Sequence, residues 1–410
     1  MKYKGLFRLI VLVSILVMTA GTVEDRSQAS KAPIILGFAL AKSGLLAPYD
    51  LEPGQAAVLR AQEINAHGGV LGRPLKVIWE NTQSDKALAA TVADDLISKG
   101  ASLIVATCDF DFGSPAAIEA QRKNLPSISI CASDPKFSDK VTIGPDAFSM
   151  APGSDDEAAA DAEWAYKVKG WRTAYILQDQ SLEYTKALGR YFKARWTQLG
   201  GKIVGEDSFP GGENVTVTAQ ASRIRSLSHR PDFIYLPTWE PGGASAIRGI
   251  RSTGISAPIL GPSALDPGTL MTQIAGSISN VYFNPYGCYV YCTGQNNPSL
   301  MQFAKAYKQK YGRYPSSAYD LDGYAMVTVI AEAMQKARST QSSALLKAFE
   351  SLPTLTGPLG TVQFFSSTCH RPIRESLAFV QVQNGKFRYL GNFRPAKIPS
   401  IGDGNPCATK

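Results

Sequence analysis

An unbroken apolar run, Ile34 to Leu40, is followed by a Ser/Gly/Pro-rich stretch, Lys42 to Pro53, and then by Ala57, Ala61 and Ile64 at helical spacing. The run predicts a buried strand, and the turn-forming residues after it predict an irregular loop. Gly54 opens the predicted helix. Gly68-Gly69 closes it, because glycine accepts the positive φ of a helix C-terminus. Leu75, Val77 and Trp79 alternate as a second strand. The pattern is one βαβ unit with a long loop at the carboxyl end of its first strand, the edge at which open α/β sheets take ligands.

The same alternation continues. A helix is predicted over Lys86 to Lys99 and a strand over Leu103 to Thr107. The next loop, Cys108 to Pro115, ends in Ser114-Pro115, which reads as an N-cap and first-turn proline for a helix from Ala116 to Lys123. A strand over Ser127 to Ile130 leads to Cys131-Ala132-Ser133-Asp134. Near 148–153 the pattern pauses. Ser154 with Asp155, Asp156 and Glu157 then starts a helix whose acids suit the helix dipole. A second βα series follows, with strands at Thr173 to Leu177, Asp232 to Leu236, Pro258 to Gly261 and Asn280 to Phe283. Helices are predicted over Ser299–Tyr311, Ala318–Lys336 and Ser343–Ser351. The tail reads as β, with strands over Val362–Phe365, Leu377–Val382 and Phe387–Leu390 and a turn at Asn384-Gly385. The fold class is therefore α/β, as two doubly wound α/β lobes joined by three hinge crossings near 148–153, 260–263 and 354–360. One lobe takes 30–148 plus 262–354, the other 149–261 plus 355–410.

Bulk properties narrow the class. At 410 residues with 44% apolar and 19% charged positions, large cores can form. Lys2, Lys4 and Arg8 precede an apolar run, Leu9 to Val17, that is shorter than the roughly 20 residues of a membrane span. Residues 1–29 thus read as a secretory signal peptide, cleaved after Ala29 or, alternatively, after Ala20. Without that segment the formal charge falls from +8 to +6. The remaining basic residues are scattered, so no nucleic-acid partner is expected. Six cysteines in an exported chain favour disulfides. Cys108 and Cys131 end successive apolar strands, Cys288 and Cys292 share a short loop, and Cys369 and Cys407 remain; this predicts those three pairs, although sequence leaves the pairing open. No cysteine spacing suits zinc, so no metal is expected. The three histidines, His67, His229 and His370, are expected to be exposed. No catalytic motif or nucleotide loop occurs, which argues against an enzyme and against a cofactor.

Asp109 and Asp111 occupy a strand-end loop where a ligand contact is expected. Phe110 and Phe112 alternate with them, facing either a flat ligand or the protein. The stretch INAHGGVLGRPL, from Ile64 to Leu75, resembles the INA-GG-x-x-G-x-x-L signature of the periplasmic branched-chain-amino-acid-binding protein family, the solute receptors of ABC importers. ALAKSGLLAPYD, ending in Tyr49-Asp50, is similar to that family's first ligand loop. The resemblance implies the type I periplasmic binding fold, a monomer, a small-molecule ligand between the lobes and a membrane ABC permease as partner. It also implies ligand contacts from the loops of Asp109–Phe112 and Cys131-Ala132-Ser133, from Tyr49 and Tyr184, and from the loop of Trp239 and Glu240. The family's ammonium-binding Glu is replaced here by Ser263. With two acids at the carboxylate end and that Glu missing, leucine, isoleucine and valine are expected to bind poorly. The expected ligand is polar, and cationic or hydroxyl-rich. The resulting reading is a periplasmic solute-binding protein; its rivals are a ligand-sensing periplasmic receptor and a secreted hydrolase.

Overall fold

The computed structural model describes residues 32–266, 278–288, 292–294 and 297–408. The expected signal peptide lies outside them. Among the described residues there are two large sheets. The first runs β2(Leu75–Asn81)-β1(Ile34–Leu40)-β3(Ala101–Ala106)-β4(Ser127–Ser129)-β5(Ala147–Ser149), all parallel. Helices α1(Ala47–Ala66), α2(Lys86–Ser98) and α3(Phe110–Arg122) make the crossovers.

The Ile64–Leu75 motif has a direct physical use in this unit. Asn65 closes α1 by pairing with the backbone of β2: its Nδ2 donates to the Leu75 carbonyl at 2.8 Å, and the Leu75 N–H donates to its Oδ1 at 2.7 Å. Gly69 sits at φ +73, and a Cβ there would lie 2.1 Å from the Arg73 carbonyl oxygen, so only glycine fits. Helix end and strand start are therefore held in register by Asn65 and Gly69 at fixed spacing.

After β5 come α4(Ser154–Lys167), β6(Thr173–Asp179), α5(Glu183–Gln198), β7(Lys202–Phe209), α6(Thr218–Ser226), β8(Phe233–Tyr235), α7(Gly242–Ser252) and β9(Ile259–Gly261). The second sheet runs β7-β6-β8-β9-β10(Val281–Phe283)-β14(Leu377–Gln383)-β15(Lys386–Phe393)-β11(Cys292–Thr293). It is parallel from β7 to β10, and β14 and β15 join antiparallel. Their hairpin turns at Asn384 and Gly385, both with positive φ as a tight two-residue turn requires.

The strand at Val281–Phe283 was expected in the stretch returned to the first lobe. Its hydrogen bonds go to β9 and β14, inside the second sheet. Beyond it, α8(Pro298–Tyr311), α9(Tyr319–Ala337) and α10(Ser342–Glu350) cover the first sheet's side. Helix α9 lies directly against α1: a Cβ on Gly323 would meet the Pro53 carbonyl oxygen at 2.0 Å. Residues 354–360, expected as a plain crossing, form most of a small hairpin, β12(Leu355–Gly357) and β13(Gly360–Val362), and 363–366 are not a strand.

One further expectation is corrected. His370 is fully buried, stacked on Phe148 at 4.0 Å between ring centres, with Nε2 3.0 Å from Glu350 and Nδ1 3.1 Å from the Ala147 carbonyl. A stretch that connects two lobes is packed from both sides, so its polar residues are enclosed. The acidic start of α4 is buried as well. Asp155 pairs with Arg371 at 2.7 Å, Asp156 accepts from the Glu375 N–H at 3.0 Å, and Glu157 accepts from Tyr184 at 2.8 Å. The cysteines pair as Cys108–Cys131, Cys288–Cys292 and Cys369–Cys407, with Cα separations of 4.5, 5.8 and 5.4 Å.

Candidate functional site

Three first-lobe loops and three second-lobe loops converge at the carboxyl ends of the strands. The first is shorter than sequence reasoning proposed, because α1 begins at Ala47 and not at Gly54. Pro48 suits a first turn, where its missing N–H has no partner to lose. Pro53 is tolerated further in. The early start places Tyr49 and Asp50 on a rigid helical turn. Asp50 is buried and accepts from the Ala41 N–H at 2.6 Å and the Cys108 N–H at 2.9 Å, tying the ends of β1 and β3 together. Burial pushes its carboxyl up to about 7, against those hydrogen bonds.

The second loop, after β3, is also shorter than expected. Asp109, not Ser114, is the N-cap of α3; its Oδ1 accepts from the Phe112 N–H at 3.1 Å. Ser114 and Pro115 lie inside the helix. The Asp side chain satisfies a donor of the first turn, so the helix starts where that cap stands. Asp109 is buried, and burial followed by the Asp111 charge holds its carboxyl well above the usual range. Asp111 points elsewhere: its Oδ2 accepts from the Glu183 N–H of the second lobe at 2.9 Å, and Lys86 lies 3.6 Å from Oδ1. Phe110 and Phe112 pack against the first-lobe cores, with Lys136 and Lys86 over their rings at 5.8 and 4.8 Å. In the third loop Ser133 Oγ is 2.9 Å from the Tyr286 hydroxyl.

From the second lobe, Trp239 follows β8 and donates its indole N–H to Ser181 at 2.8 Å. Tyr184, on the first turn of α5, donates to Glu157. Ser263 follows β9; its N–H also donates to Glu157, and its Oγ is 3.0 Å from the Tyr319 hydroxyl. Tyr49 crosses the gap. It donates to the Ala264 carbonyl and accepts from the Glu240 N–H, each at 2.9 Å. Glu240 is buried, and burial raises its carboxyl well above the usual range.

These loops line a cavity of about 30 Å³. Of the expected site residues, Tyr49, Asp109, Cys131, Ser133, Tyr184 and Trp239 line it. Phe110, Asp111, Phe112, Ala132, Glu240 and Ser263 are outside its wall. Leu46, Leu182, Ala264 and Tyr319 line it without having been anticipated. Tyr319 opens α9, whose start carries no capping signal, so only the tertiary fold brings it to the site. Glu157 was also missed as a neighbour of the site; the acid-rich helix start was the available signal, and it was read only as suiting the helix dipole. Burial lifts its carboxyl to about 7. Among the described residues no group of three or more His, Cys, Asp or Glu could hold a metal.

Two sheets of the doubly wound kind, crossed by the chain more than once and meeting at a loop-lined cavity, define the type I periplasmic binding class. The chain belongs to the periplasmic binding protein family, whose sequence model matches residues 33–386. It is 23% identical over 323 residues to the Leu/Ile/Val-binding protein of Escherichia coli K12, covering 78% of this chain and 84% of that one. The fold superposes on the branched-chain amino acid transporter substrate-binding protein of Streptococcus pneumoniae in complex with isoleucine. There the TM-score is 0.76 at 21% identity, over 88% of this chain and 99% of that one. It also superposes on a solute-binding protein from R. palustris in complex with benzoate, at TM-score 0.75 and 18% identity, over 90% and 98% of the two chains.

Proposed function

We propose that this chain is the extracytoplasmic solute-binding protein of an ABC importer. It captures a small polar organic molecule between its lobes and presents the closed form to a membrane permease. The observation that carries the reading is the Tyr49 hydroxyl, which joins a first-lobe helix to two second-lobe loops over a cavity walled by both lobes. Contacts of this kind form only on closure, so a ligand held there biases the hinge equilibrium. The family's solute receptors support the same reading. A periplasmic location fits the amino-terminal sequence, and no described helix is long and apolar enough to cross a membrane. The protein is proposed to act as a monomer and without enzymatic turnover. A thermal-shift screen over a solute library tests the proposal, because a ligand that binds only the folded form raises the melting temperature. No shift with any small solute would reject it.

A further inference from the structure

The cavity wall is unbalanced in charge. Among the described residues its lining contains one carboxyl, that of Asp109, and no lysine, arginine or histidine. Behind the wall stand three more acids. Glu240 shares the Tyr49 hydroxyl, and its Oε1 has no hydrogen-bond partner although fully enclosed. Asp179 accepts from Ser181 and Thr238, and Glu157 accepts from Tyr184 and Ser263. The nearby cations are engaged or remote. Lys86 faces Asp111, Lys136 pairs with Glu183 at 2.5 Å, and Arg248, which faces Glu240, is exposed on α7.

An anionic ligand has little to hold here. The Phe112 N–H at the start of α3, the kind of donor a ligand carboxylate would take, already donates to Asp109 Oδ1. The Ser263 N–H is taken by Glu157. A cation, by contrast, meets complementary groups on several sides. The Tyr49 ring lies 6.0 Å from Trp239 and 5.7 Å from Tyr319, and Tyr184 completes the wall. Aromatic faces attract cations, most strongly when water is excluded. We infer that the site, opened by hinge motion from its volume of about 30 Å³, takes an organic ammonium ion lacking a free carboxylate, with the cation set against Asp109 among the rings of Tyr49, Trp239, Tyr184 and Tyr319. This rests on the solute-binding reading above and adds the ligand's chemical class to it. Burial and Asp111 disfavour a charged Asp109; an ammonium ion at hydrogen-bond distance is the partner that restores the charge.

Matched pairs of probes separate the alternatives. Leucinamide and leucine differ at the carboxylate; benzylamine and benzoate set opposite charges on the same ring. At neutral pH the two amines raise the melting temperature, and the two acids at equal concentration do not. Asp109→Asn keeps an oxygen to cap α3 and so keeps the fold, but lowers affinity for a responding amine at least tenfold by calorimetric titration. Unchanged amine affinity in Asp109→Asn overturns the inference. An acid or an uncharged solute as the responder overturns the ammonium assignment and leaves solute binding standing. Silence across these four probes and a wider library overturns both.

Discussion

Arg371 and Asp155 are 216 residues apart in the chain and meet at 2.7 Å, with neither side chain exposed. Asp155 opens α4 just after the first crossing, and Arg371 lies just before β14, so the pair clamps two of the connecting strands side by side. Asn405, in the tail held by Cys369–Cys407, adds a third partner, its Nδ2 at 2.6 Å from Asp155. Breaking such a pair strands a buried charge. Arg371→Met is expected to lower unfolding free energy by about 3–5 kcal/mol. Arg371→Met with Asp155→Leu should recover much of that loss. Urea denaturation of the two variants checks it; a single substitution worth under about 1 kcal/mol would contradict the buried-pair account.

Tyr49→Phe removes one hydroxyl but two cross-lobe hydrogen bonds, leaving the Glu240 N–H without its acceptor. A penalty of about 1–2 kcal/mol is expected to fall on the closed form, because an open form would let water satisfy the same groups. Ligand affinity should drop roughly 5- to 30-fold. Titration of whichever solute the screen identifies would measure this. Undiminished affinity would place the Tyr49 contact outside the closure mechanism.

Stability should respond to pH through Glu157 and Asp50, whose folded carboxyls sit at about 7 because burial opposes ionisation. For each, the folded chain holds the proton more tightly than the unfolded chain. The stabilisation is full below about pH 4, where both forms are protonated, and is lost as pH rises toward 7. At about 1.4 kcal/mol per pKa unit, Glu157 alone is worth on the order of 3 kcal/mol between those limits. Glu183, held down at about 2 by Lys136, acts in the opposite direction but only at lower pH. Glu157→Gln should flatten the decline in unfolding free energy between pH 5 and pH 8. An equally steep profile in the variant would show that Glu157 does not drive it.

The cavity wall includes a covalent tie, Cys108–Cys131, which joins the loops of β3 and β4 across 23 residues. Closing a loop of that length in the unfolded chain is worth about 3 kcal/mol in the chain-entropy picture. Replacing both cysteines with serine should lower stability by about that amount and loosen the loop that carries Asp109. Chemical denaturation with and without reductant is the check; indifference of the wild type to reduction, with the bond shown to be open, would contradict it.

How much of this was legible depended on whether the signal was local. The strand Ile34–Leu40 and the turn from Asn65 to Leu75 are written in short-range chemistry, so they read correctly and carried the family with them. The start of α1 was missed because Ser, Gly and Pro after a strand look like loop, while Pro48 in a first turn is compatible with helix. Asp155–Glu157 were recognised as helix-start acids, but whether such acids are buried depends on what packs over them. Arg371, Tyr184 and Ser263 meet the acids of α4 across 216, 27 and 106 residues, pairings that leave no local trace. His370 was misplaced for the same reason. The candidate site was therefore visible as a set of loops, and much less so as a set of inward-facing side chains.

Leucine, isoleucine and valine are expected to bind no better than millimolar, about −4 kcal/mol. An amino acid needs donors for its carboxylate and an acid for its ammonium. At the first-lobe end, Asp109 stands in the cavity wall with its oxygen on the Phe112 N–H, so a carboxylate placed there meets another carboxyl and a donor already in use. At the second-lobe end, Ser263 is the residue the resemblance sets in place of an ammonium-binding Glu, and its own N–H and hydroxyl already face Glu157 and Tyr319. Glu240 could receive the ammonium only by turning into the cavity, and it would do nothing for the carboxylate. The two deficits act on the same molecule and in the same direction. Calorimetric titration with leucine decides the matter: micromolar binding by the wild-type chain would show that these loops rearrange around the ligand more than their hydrogen bonds suggest.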